Sequence, residues 1–253
     1  MRTKIEVRGL KKGFVSDNGL LPVVAEVSFT VNDGEFVAVV GPSGCGKSTL
    51  MNMMAGFVRP DAGDVLIDGV PRAKPDSKGI LISQQGSVFP WLTVRENLMF
   101  GLNGHTSGDR MEIADHYADI VGLKGFEESY PHELSGGMLK RTELARALVV
   151  KPEILYMDEP FSALDALMSL RMRNELLRVL AVERHTTLLI THDVEEAIHL
   201  ADRIVVLSPR PTRIQAVFDV PLTHPRKISS RAAQELRVTI LRELGVEREG
   251  PGL

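Results

Sequence analysis

Disulfides and membrane spans are what this sequence of 253 residues lacks. Its single cysteine, Cys45, cannot form an internal disulfide, which excludes the disulfide-stapled secreted folds and fits a reducing compartment. No apolar run reaches the roughly 18 residues that a membrane-spanning helix needs. The first residues also have no apolar stretch of the kind that a secretory signal carries. If the protein works at a membrane, another subunit must hold it there.

An excess of charge of one sign is missing as well. Lys and Arg number 30 against 33 Asp and Glu, which gives a formal net charge of −3. Without a basic excess or a run of Lys and Arg, we expect no nucleic-acid partner. Hydrophobic residues are plentiful: at 43% of this length they suffice for the core of one large domain.

Apolar periodicity along the chain indicates an α/β fold. Apolar and polar residues alternate around Ile5 and again around Phe29, as in half-buried strands. Continuous apolar segments predict parallel strands covered on both faces, and helix-like segments separate them, so we expect a mostly parallel central sheet. These continuous segments lie at residues 36–40, 154–157, 187–190 and 204–207.

The chain is predicted to be one domain, residues 1–253, with an insertion. Residues 94–151 predict mainly helices, with breaks at 101–108 and at Pro131. We expect this helical subdomain to interrupt a core formed by residues 1–93 and 152–214. Residues 215–253 are expected to form a polar tail that ends in a helix over 231–244.

A phosphate-binding loop is the first motif with a chemical role. The pattern G-x-x-x-x-G-K-[ST] stands between a predicted strand and a predicted helix, which a chance Gly-rich turn would not need. Backbone N–H groups and the helix N-terminus would surround the phosphates. Lys47 is expected to reach the β- and γ-phosphates, and the Ser48 hydroxyl to bind Mg²⁺. The candidate ATP-binding residues here are Gly41, Pro42, Ser43, Gly44, Cys45, Gly46, Lys47, Ser48 and Thr49.

An acidic pair and two polar residues follow other predicted strands. Asp158 ends an apolar strand and is expected at the carboxyl edge of the sheet, beside the phosphate loop, as a Mg²⁺ ligand. Glu159 suits a general base that activates the attacking water. Gln84 offers an amide to Mg²⁺ and that water, and His192 a hydrogen bond to the γ-phosphate. Taken singly, each of these two is more often a surface residue or a structural histidine.

A second anion-binding turn, Ser135-Gly136-Gly137, precedes a predicted helix over 138–148. One ATP has one triphosphate, which the loop of Lys47 already surrounds. The second turn therefore suggests action in trans, on a nucleotide held by a facing subunit. A plain helix N-cap at Ser135 is the alternative reading, and it is compatible with the first.

With these parts in this order, the sequence resembles the ATPase subunits of ABC transporters over nearly its whole length. Residues 134–138 resemble the family signature, and residues 162–165 resemble its D-loop. Gln84 and His192 stand at the Q-loop and switch-histidine positions, and Phe14 at the aromatic position that stacks on adenine.

The resemblance implies a P-loop NTPase (RecA-like) core with an antiparallel β-subdomain and an inserted α-helical subdomain. It implies a Mg²⁺-dependent ATPase that pairs head to tail with a second copy of itself or a similar subunit. Ser135, Gly136, Gly137 and Asp165 would then contact ATP in trans. Lys140 departs from the glutamine common in the family, and Ser83 from a frequent aromatic; we expect effects on nucleotide affinity, not loss of hydrolysis.

Three segments, 89–94, 159–165 and 207–214, resemble the nitrate/sulfonate/taurine importer branch. This implies an integral-membrane permease fed by an extracytoplasmic solute-binding protein, with the present chain on the cytoplasmic face of the cell membrane. The solute is inferred by association alone. An ABC exporter ATPase, a non-transport ABC ATPase and a P-loop small-molecule kinase remain alternatives, although a kinase leaves the signature turn and the D-loop unexplained.

The segment 88–92 is a candidate docking site for that permease. Pro90 disfavours helix for Phe89, which predicts an exposed, fixed turn rich in apolar side chains. We expect Phe89 and Leu92 to line the docking groove and Trp91 to support it from behind. Packing of these residues between the helical subdomain and the core is the alternative.

Overall fold

The computed structural model describes residues 2–16, 19–83, 86–104, 106–162, 164–182 and 185–246. The chain divides into two compact units. The first comprises Met1–Asp76 and Thr186–Leu253, and the second comprises Ser77–His185. The second unit is longer than the helical subdomain expected at residues 94–151. The bounds of that subdomain stay a prediction.

The elements follow one another in an alternating α/β order. The first unit begins with β1 (Thr3–Ser16), β2 (Gly19–Asn32), β3 (Phe36–Val40), α1 (Lys47–Ala55), β4 (Ala62–Ile67) and β5 (Val70–Pro71). The second unit holds β6 (Gly79–Ile82), α2 (Val94–Met99), α3 (Ser107–Ile120), a 3-10 turn (Pro131–Glu133), α4 (Gly136–Leu148), β7 (Ile154–Asp158) and α5 (Ala166–Val182). The first unit is completed by β8 (Thr186–Thr191), α6 (Val194–Leu200), β9 (Arg203–Leu207), β10 (Thr212–Asp219) and α7 (Arg231–Glu243).

A buried parallel layer forms the centre of the first unit. β3 pairs in parallel with β8 on one side and with β9 on the other. Every residue of β3 and β8 is buried, and in β9 only Arg203 is partly exposed. Cover on both faces explains why these strands read as continuous apolar runs. The parallel strands expected at residues 36–40, 187–190 and 204–207 are confirmed.

Antiparallel strands extend this layer. β1 pairs with β2 and β4, and β4 pairs with β5, all antiparallel. The strand order in this unit is β5-β4-β1-β2-β10-β9-β3-β8. The antiparallel β-subdomain is therefore confirmed. β10 crosses residue 215, where a polar tail was expected to begin, because the exposed Arg213, Gln215 and Asp219 alternate with residues that are half-buried in the sheet.

Two glycines delimit α1, the helix that follows the phosphate loop. Gly46 before it has φ 117° and Gly56 after it has φ 85°, so a left-handed residue stands at each end. The helix starts at Lys47, within the phosphate-loop motif itself. Its apolar face is fully buried and comprises Leu50, Met51, Met53 and Met54.

The second unit contains the expected helices. β6 and β7 form a parallel pair with Gly79 opposite Ile154 and Ile82 opposite Met157. α2 begins with a capping box, in which Thr93 and Glu96 satisfy each other's backbone N–H groups. α3 begins at Ser107, inside the predicted break 101–108, because the Thr106 hydroxyl accepts from the Asp109 N–H and starts the helix early. Within the described ranges no helix is both long and apolar enough to cross a bilayer.

A buried guanidinium fastens the segment after β10 to α6. The Arg226 side chain, 2% exposed, donates to the carbonyls of Leu222, Ile198 and Ala201 at 2.8, 2.9 and 2.5 Å. Two of these carbonyls belong to the C-terminal end of α6, where helix geometry leaves them unpaired. Burial lowers the pKa of Arg226. Three charge-assisted hydrogen bonds therefore hold the C-terminal part of the chain on the first unit.

Replacing this guanidinium should destabilise the fold. Arg226→Met keeps the length of the side chain but leaves the three carbonyls without a donor, and we expect a loss of about 3 kcal/mol in the free energy of unfolding. Arg231→Met is the control, because the Arg231 side chain is 92% exposed and its pair with Glu235 lies at the surface. Urea unfolding followed by circular dichroism measures both. Equal midpoints for the two variants would contradict the fastening role.

Candidate functional site

The phosphate loop, residues 41–49, joins β3 to α1 in a conformation that requires glycine. Gly44 has φ 72° and Gly46 has φ 117°, a region that side chains rarely adopt. A Cβ on Gly46 would also lie 2.7 Å from Cγ1 of Val23. Such a backbone turns successive N–H groups toward one concave face, which is an anion-binding geometry. Both the sequence pattern and the local conformation therefore point to a phosphate site.

Lys47 lies inside this loop and is 6% exposed. Its ammonium group donates to the carbonyls of Gly41 at 2.8 Å and Pro42 at 3.1 Å. A buried cation whose partners are neutral carbonyls makes the loop electropositive and favours an anionic ligand. Ser48 is exposed on the first turn of α1, while Cys45 is 2% exposed and packs inside the loop.

Two residues that support the loop were missed in the sequence. The Thr212 hydroxyl donates to the Cys45 carbonyl. Nη2 of Arg210 lies 3.7 Å from where a Cβ on Gly44 would stand. Both residues belong to the segment 207–214, which the sequence marked only as a family resemblance. No local pattern reveals their role, because it depends on where β10 is placed in the sheet.

Phe14, the candidate adenine-stacking residue, lies on β1 and is 43% exposed. The Lys12 ammonium lies 5.5 Å from the centroid of its ring and donates to Asp61 at 2.6 Å. The Gly13 N–H donates to the other Asp61 oxygen at 2.8 Å. The Lys12 hydrogen bond, with the one from Gly13, lowers the pKa of Asp61. Asp61, which the sequence analysis missed, thus fixes the backbone that presents Phe14.

His192 occupies a junction in the first unit. It follows the last residue of β8 and is exposed, and the next residue, Asp193, caps α6 by accepting from the N–H groups of Glu195 and Glu196. The Asp193 N–H in turn donates to the Thr191 hydroxyl at 3.0 Å. The backbone on both sides of His192 is therefore held in place, and its imidazole is presented at the end of a buried strand.

In the second unit, the acidic pair ends β7. Asp158 is the last residue of that strand and is 7% exposed. Glu159 follows with φ 49°, a left-handed conformation that costs a non-glycine residue about 1–2 kcal/mol. Its carbonyl accepts from the Ser162 hydroxyl at 2.9 Å. Strain of this kind at a carboxylate next to a buried carboxylate is typical of a functional site.

The two turns predicted to act in trans are also in the second unit. Ser135 caps α4, and its hydroxyl accepts from the Met138 N–H at 3.3 Å. Asp165 accepts from the Met168 N–H at 3.0 Å and so caps α5. Both are exposed. The N-cap reading of Ser135 is confirmed, and it leaves the predicted contact with a nucleotide open.

Gln84 lies outside the described residues, between Ser83 and Gly86. Lys140 donates to the Glu143 carboxylate at 2.6 Å and to the Ser83 carbonyl at 3.3 Å. The expected effect of Lys140 and Ser83 on nucleotide affinity stays a prediction.

The segment 88–92 differs from its expected arrangement. Trp91 is 69% exposed, so the expectation that it supports a groove from behind is wrong. Its ring stacks on Phe89, which also packs against Phe100 and under the Arg146 guanidinium. The indole is therefore the exposed member of this aromatic cluster. Leu92 is half-buried.

Comparison with known proteins identifies the family. The family described as ABC transporter matches residues 24–162. A putative ATP-binding protein of Brucella abortus is 47% identical over 83% of this chain and 81% of its own length. An uncharacterized ABC transporter ATP-binding protein of Methanocaldococcus jannaschii is 42% identical over 95% and 91%. The aliphatic sulfonates import ATP-binding protein of Bacillus thuringiensis is 39% identical over 94% and 95%.

A solved structure shares the fold. A dimeric ATP-binding cassette in a post-hydrolysis state, bound to ADP and Pi, covers 87% of this chain and is itself covered completely, with 27% identity and a TM-score of 0.77. With the phosphate loop, the acidic pair and the Ser135 turn all present, these likenesses establish that the chain belongs to the ABC transporter family as an ATP-binding, ATP-hydrolysing cassette.

Proposed function

We propose that this cassette hydrolyses Mg-ATP in composite sites shared by two cassettes and thereby powers import of a small sulfonate through a separate permease. The observation that carries the proposal is the turn at Gly136 and Gly137. Both glycines have helical backbone inside α4, a conformation open to any residue. Glycine is less favourable than alanine in a helix, by up to roughly 1 kcal/mol in the interior.

Nothing within the described part of the chain requires these glycines. A Cβ on Gly136 would meet no atom within 4 Å, and one on Gly137 would make ordinary contacts of 3.6 Å with Leu164 and 3.7 Å with Met168. Glycine that neither conformation nor packing requires is explained by close approach of another molecule. An exposed helix N-terminus with a hydroxyl at its first position suits a phosphate group. A phosphate held by a facing subunit meets this requirement.

Hydrolysis is assigned to the residues that the family resemblance predicts. Lys47 and the phosphate-loop N–H groups bind the phosphates, and Phe14 stacks on the base. Mg²⁺ fits the oxygen donors that Ser48, Asp158 and Gln84 offer, and it would neutralise charge on the transferred phosphoryl group. Glu159 accepts the proton of the attacking water, and His192 hydrogen-bonds the γ-phosphate.

Glu159→Gln should keep ATP binding and lose turnover by about 10²-fold or more, because the amide cannot accept the proton. The variant should accumulate as an ATP-bound dimer, which size-exclusion chromatography with nucleotide quantification detects. Glu153→Gln is the control, because it removes an exposed carboxylate that lies just before β7 and has no assigned role in hydrolysis. Near-normal hydrolysis by Glu159→Gln would move the base elsewhere, with His192 as the next candidate.

The composite arrangement predicts complementation between two inactive variants. Lys47→Ala removes a phosphate contact and should weaken ATP binding in the isolated chain. Ser135→Arg should leave that binding intact and stop hydrolysis by blocking the facing site. In a mixed dimer one site carries both defects and the other neither, so we expect one trapped ATP per mixed dimer in the Glu159→Gln background.

The control for the arginine is Ser107→Arg, at the exposed start of α3. It should leave hydrolysis unchanged, because nothing assigns a nucleotide to that helix. The in-trans assignment is contradicted if the monomeric Ser135→Arg chain itself loses ATP binding.

Import is favoured over export by the sulfonate-import relative, which aligns over 94% of this chain. The proposed partners are a second cassette and an integral-membrane permease that receives solute from an extracytoplasmic binding protein. The chain would then lie at the cytoplasmic face of the membrane, held by the permease. The docking surface is assigned to Trp91 and Phe100, which are 69% and 59% exposed and both pack on Phe89.

Trp91→Ala should retain folding and basal ATPase activity but fail to co-purify with the permease, because its large apolar contact is lost. Phe57→Ala is the matched control, since Phe57 is 59% exposed and lies in the first unit. Uptake of a labelled short-chain alkanesulfonate by intact cells should fall with Trp91→Ala alone. Continued co-purification would place docking elsewhere. Preferential uptake of nitrate would reassign the solute, whereas preferential uptake of taurine would narrow it to an aminosulfonate.

A further inference from the structure

One face of α4 carries three charged residues at a spacing of three: Lys140, Glu143 and Arg146. Residues three apart lie on the same side of a helix, so this face presents alternating charges in a row. All three contact the backbone or side chains of residues 83–89. The catalytic scheme above uses none of them.

Glu143 is the centre of this row and its side chain is 2% exposed. One carboxylate oxygen accepts from the Ser87 N–H at 3.1 Å and from the Ser87 hydroxyl at 2.9 Å. The other accepts from the Lys140 ammonium at 2.6 Å. A buried carboxylate is tolerated only when it is paired in this way. Position 143 therefore requires a side chain that accepts hydrogen bonds from Ser87 and carries a negative charge beside Lys140.

Lys140 connects the same carboxylate to the other side of Gln84. Its ammonium also donates to the Ser83 carbonyl at 3.3 Å, and its side chain is 12% exposed. The pair Lys140–Glu143 thus holds the residue just before Gln84 and the residue three positions after it. Lys140, a departure from the family's common glutamine, has its partner within the same helix.

Further contacts hold the chain at Ser87 and beyond it. Arg146 donates to the Ser87 carbonyl, and its guanidinium carbon lies 4.0 Å from the centroid of the Phe89 ring. From α2, the Asn97 amide accepts from the Phe89 N–H at 2.8 Å and donates to the Phe89 carbonyl at 3.1 Å. Arg146 holds the carbonyl of Ser87 and Asn97 holds Phe89, whereas Glu143 holds the N–H and the hydroxyl of Ser87, on the side of that residue that leads to Gln84.

We propose that the Lys140–Glu143 pair is a bracket that holds Ser83 and Ser87, the described residues before and after Gln84, on α4, the helix whose first turn carries Ser135 and Gly136. Glu143 is a positioning residue: it acts through Gln84 and touches no nucleotide. A nucleotide bound in trans at the start of α4 and the γ-phosphate sensed by Gln84 are then linked through one helix. The catalytic consequence rests on the proposed role of Gln84, whereas the bracket rests on its own contacts.

Three variants separate the bracket from a simple ion pair. Glu143→Ala removes the acceptor for Ser87, and we expect kcat for ATP to fall about tenfold or more with KM changed less than about twofold, because misplacing a catalytic group costs rate. The double variant Lys140→Gln, Glu143→Gln keeps the hydrogen bonds without charge and should stay within about threefold of the native kcat. The swap Lys140→Glu, Glu143→Lys restores opposite charges but offers Ser87 no acceptor, so it should remain defective.

A second readout is independent of activity. Gly86 lies between the bracketed residues, and a side chain there would meet no described atom within 4 Å. A nitroxide attached to Gly86→Cys therefore reports the mobility of the segment in the nucleotide-free chain, with the labelled native chain as background because Cys45 is 2% exposed. The spectrum should sharpen in Glu143→Ala and in the swap, and stay broad in the neutral double variant. Glu175→Ala, which breaks the exposed pair with Arg178, is the control that should change neither readout.

The outcomes are distinguishable. A native spectrum and native kcat in Glu143→Ala overturn the bracket, and so does restoration of both by the swap, which would make the pair a helix-stabilising ion pair. A mobile label with unchanged kcat upholds the bracket and instead removes Gln84 from the proposed mechanism. If circular dichroism shows Glu143→Ala unfolded, the comparison of the neutral double variant with the swap still decides.

Discussion

A buried ammonium group held by backbone carbonyls is the interaction around which the nucleotide-binding elements of the first unit are arranged. Lys47 is 6% exposed and donates to carbonyls of its own loop, so its charge is desolvated and stays uncompensated by any carboxylate contact of that loop. A phosphate group is the ligand that offsets this cost. The left-handed glycines, the buried strand β3 and the Thr212 hydroxyl on Cys45 all keep that loop in shape.

In the second unit, the residues predicted to contact a nucleotide in trans lie at the N-terminal ends of helices. Ser135 and Asp165 cap α4 and α5 with their side chains and are exposed, which leaves oriented backbone donors at the surface. Such exposed donors are suited to binding an anionic group of another molecule. The dimeric cassette that shares this fold shows that a cassette of this family can pair with another. Under the proposed function, dimerisation and catalysis are one requirement.

Much of this could be predicted from the sequence, and what could not has a common cause. The strands at residues 36–40 and 187–190 and the loop with Lys47 were predictable because burial and phosphate binding impose local patterns. Thr212, Asp61 and Glu143 were missed, because each contacts a backbone group that is 48 or more positions away in the chain. Trp91 was placed on the wrong side, since periodicity says nothing about which way a proline turn projects its side chains.

The left-handed backbone of Glu159 has a consequence for how such a protein responds to selection. At φ 49° glycine has the lowest conformational cost, followed by asparagine and aspartate, yet this position is a glutamate. Under selection for thermal tolerance alone, replacements that relax this position would be favoured. With Glu159 as the proposed general base, the surviving variants would be more stable and catalytically inactive. A library ranked by melting temperature would therefore enrich inactive cassettes at this position, so heat resistance and activity have to be screened together.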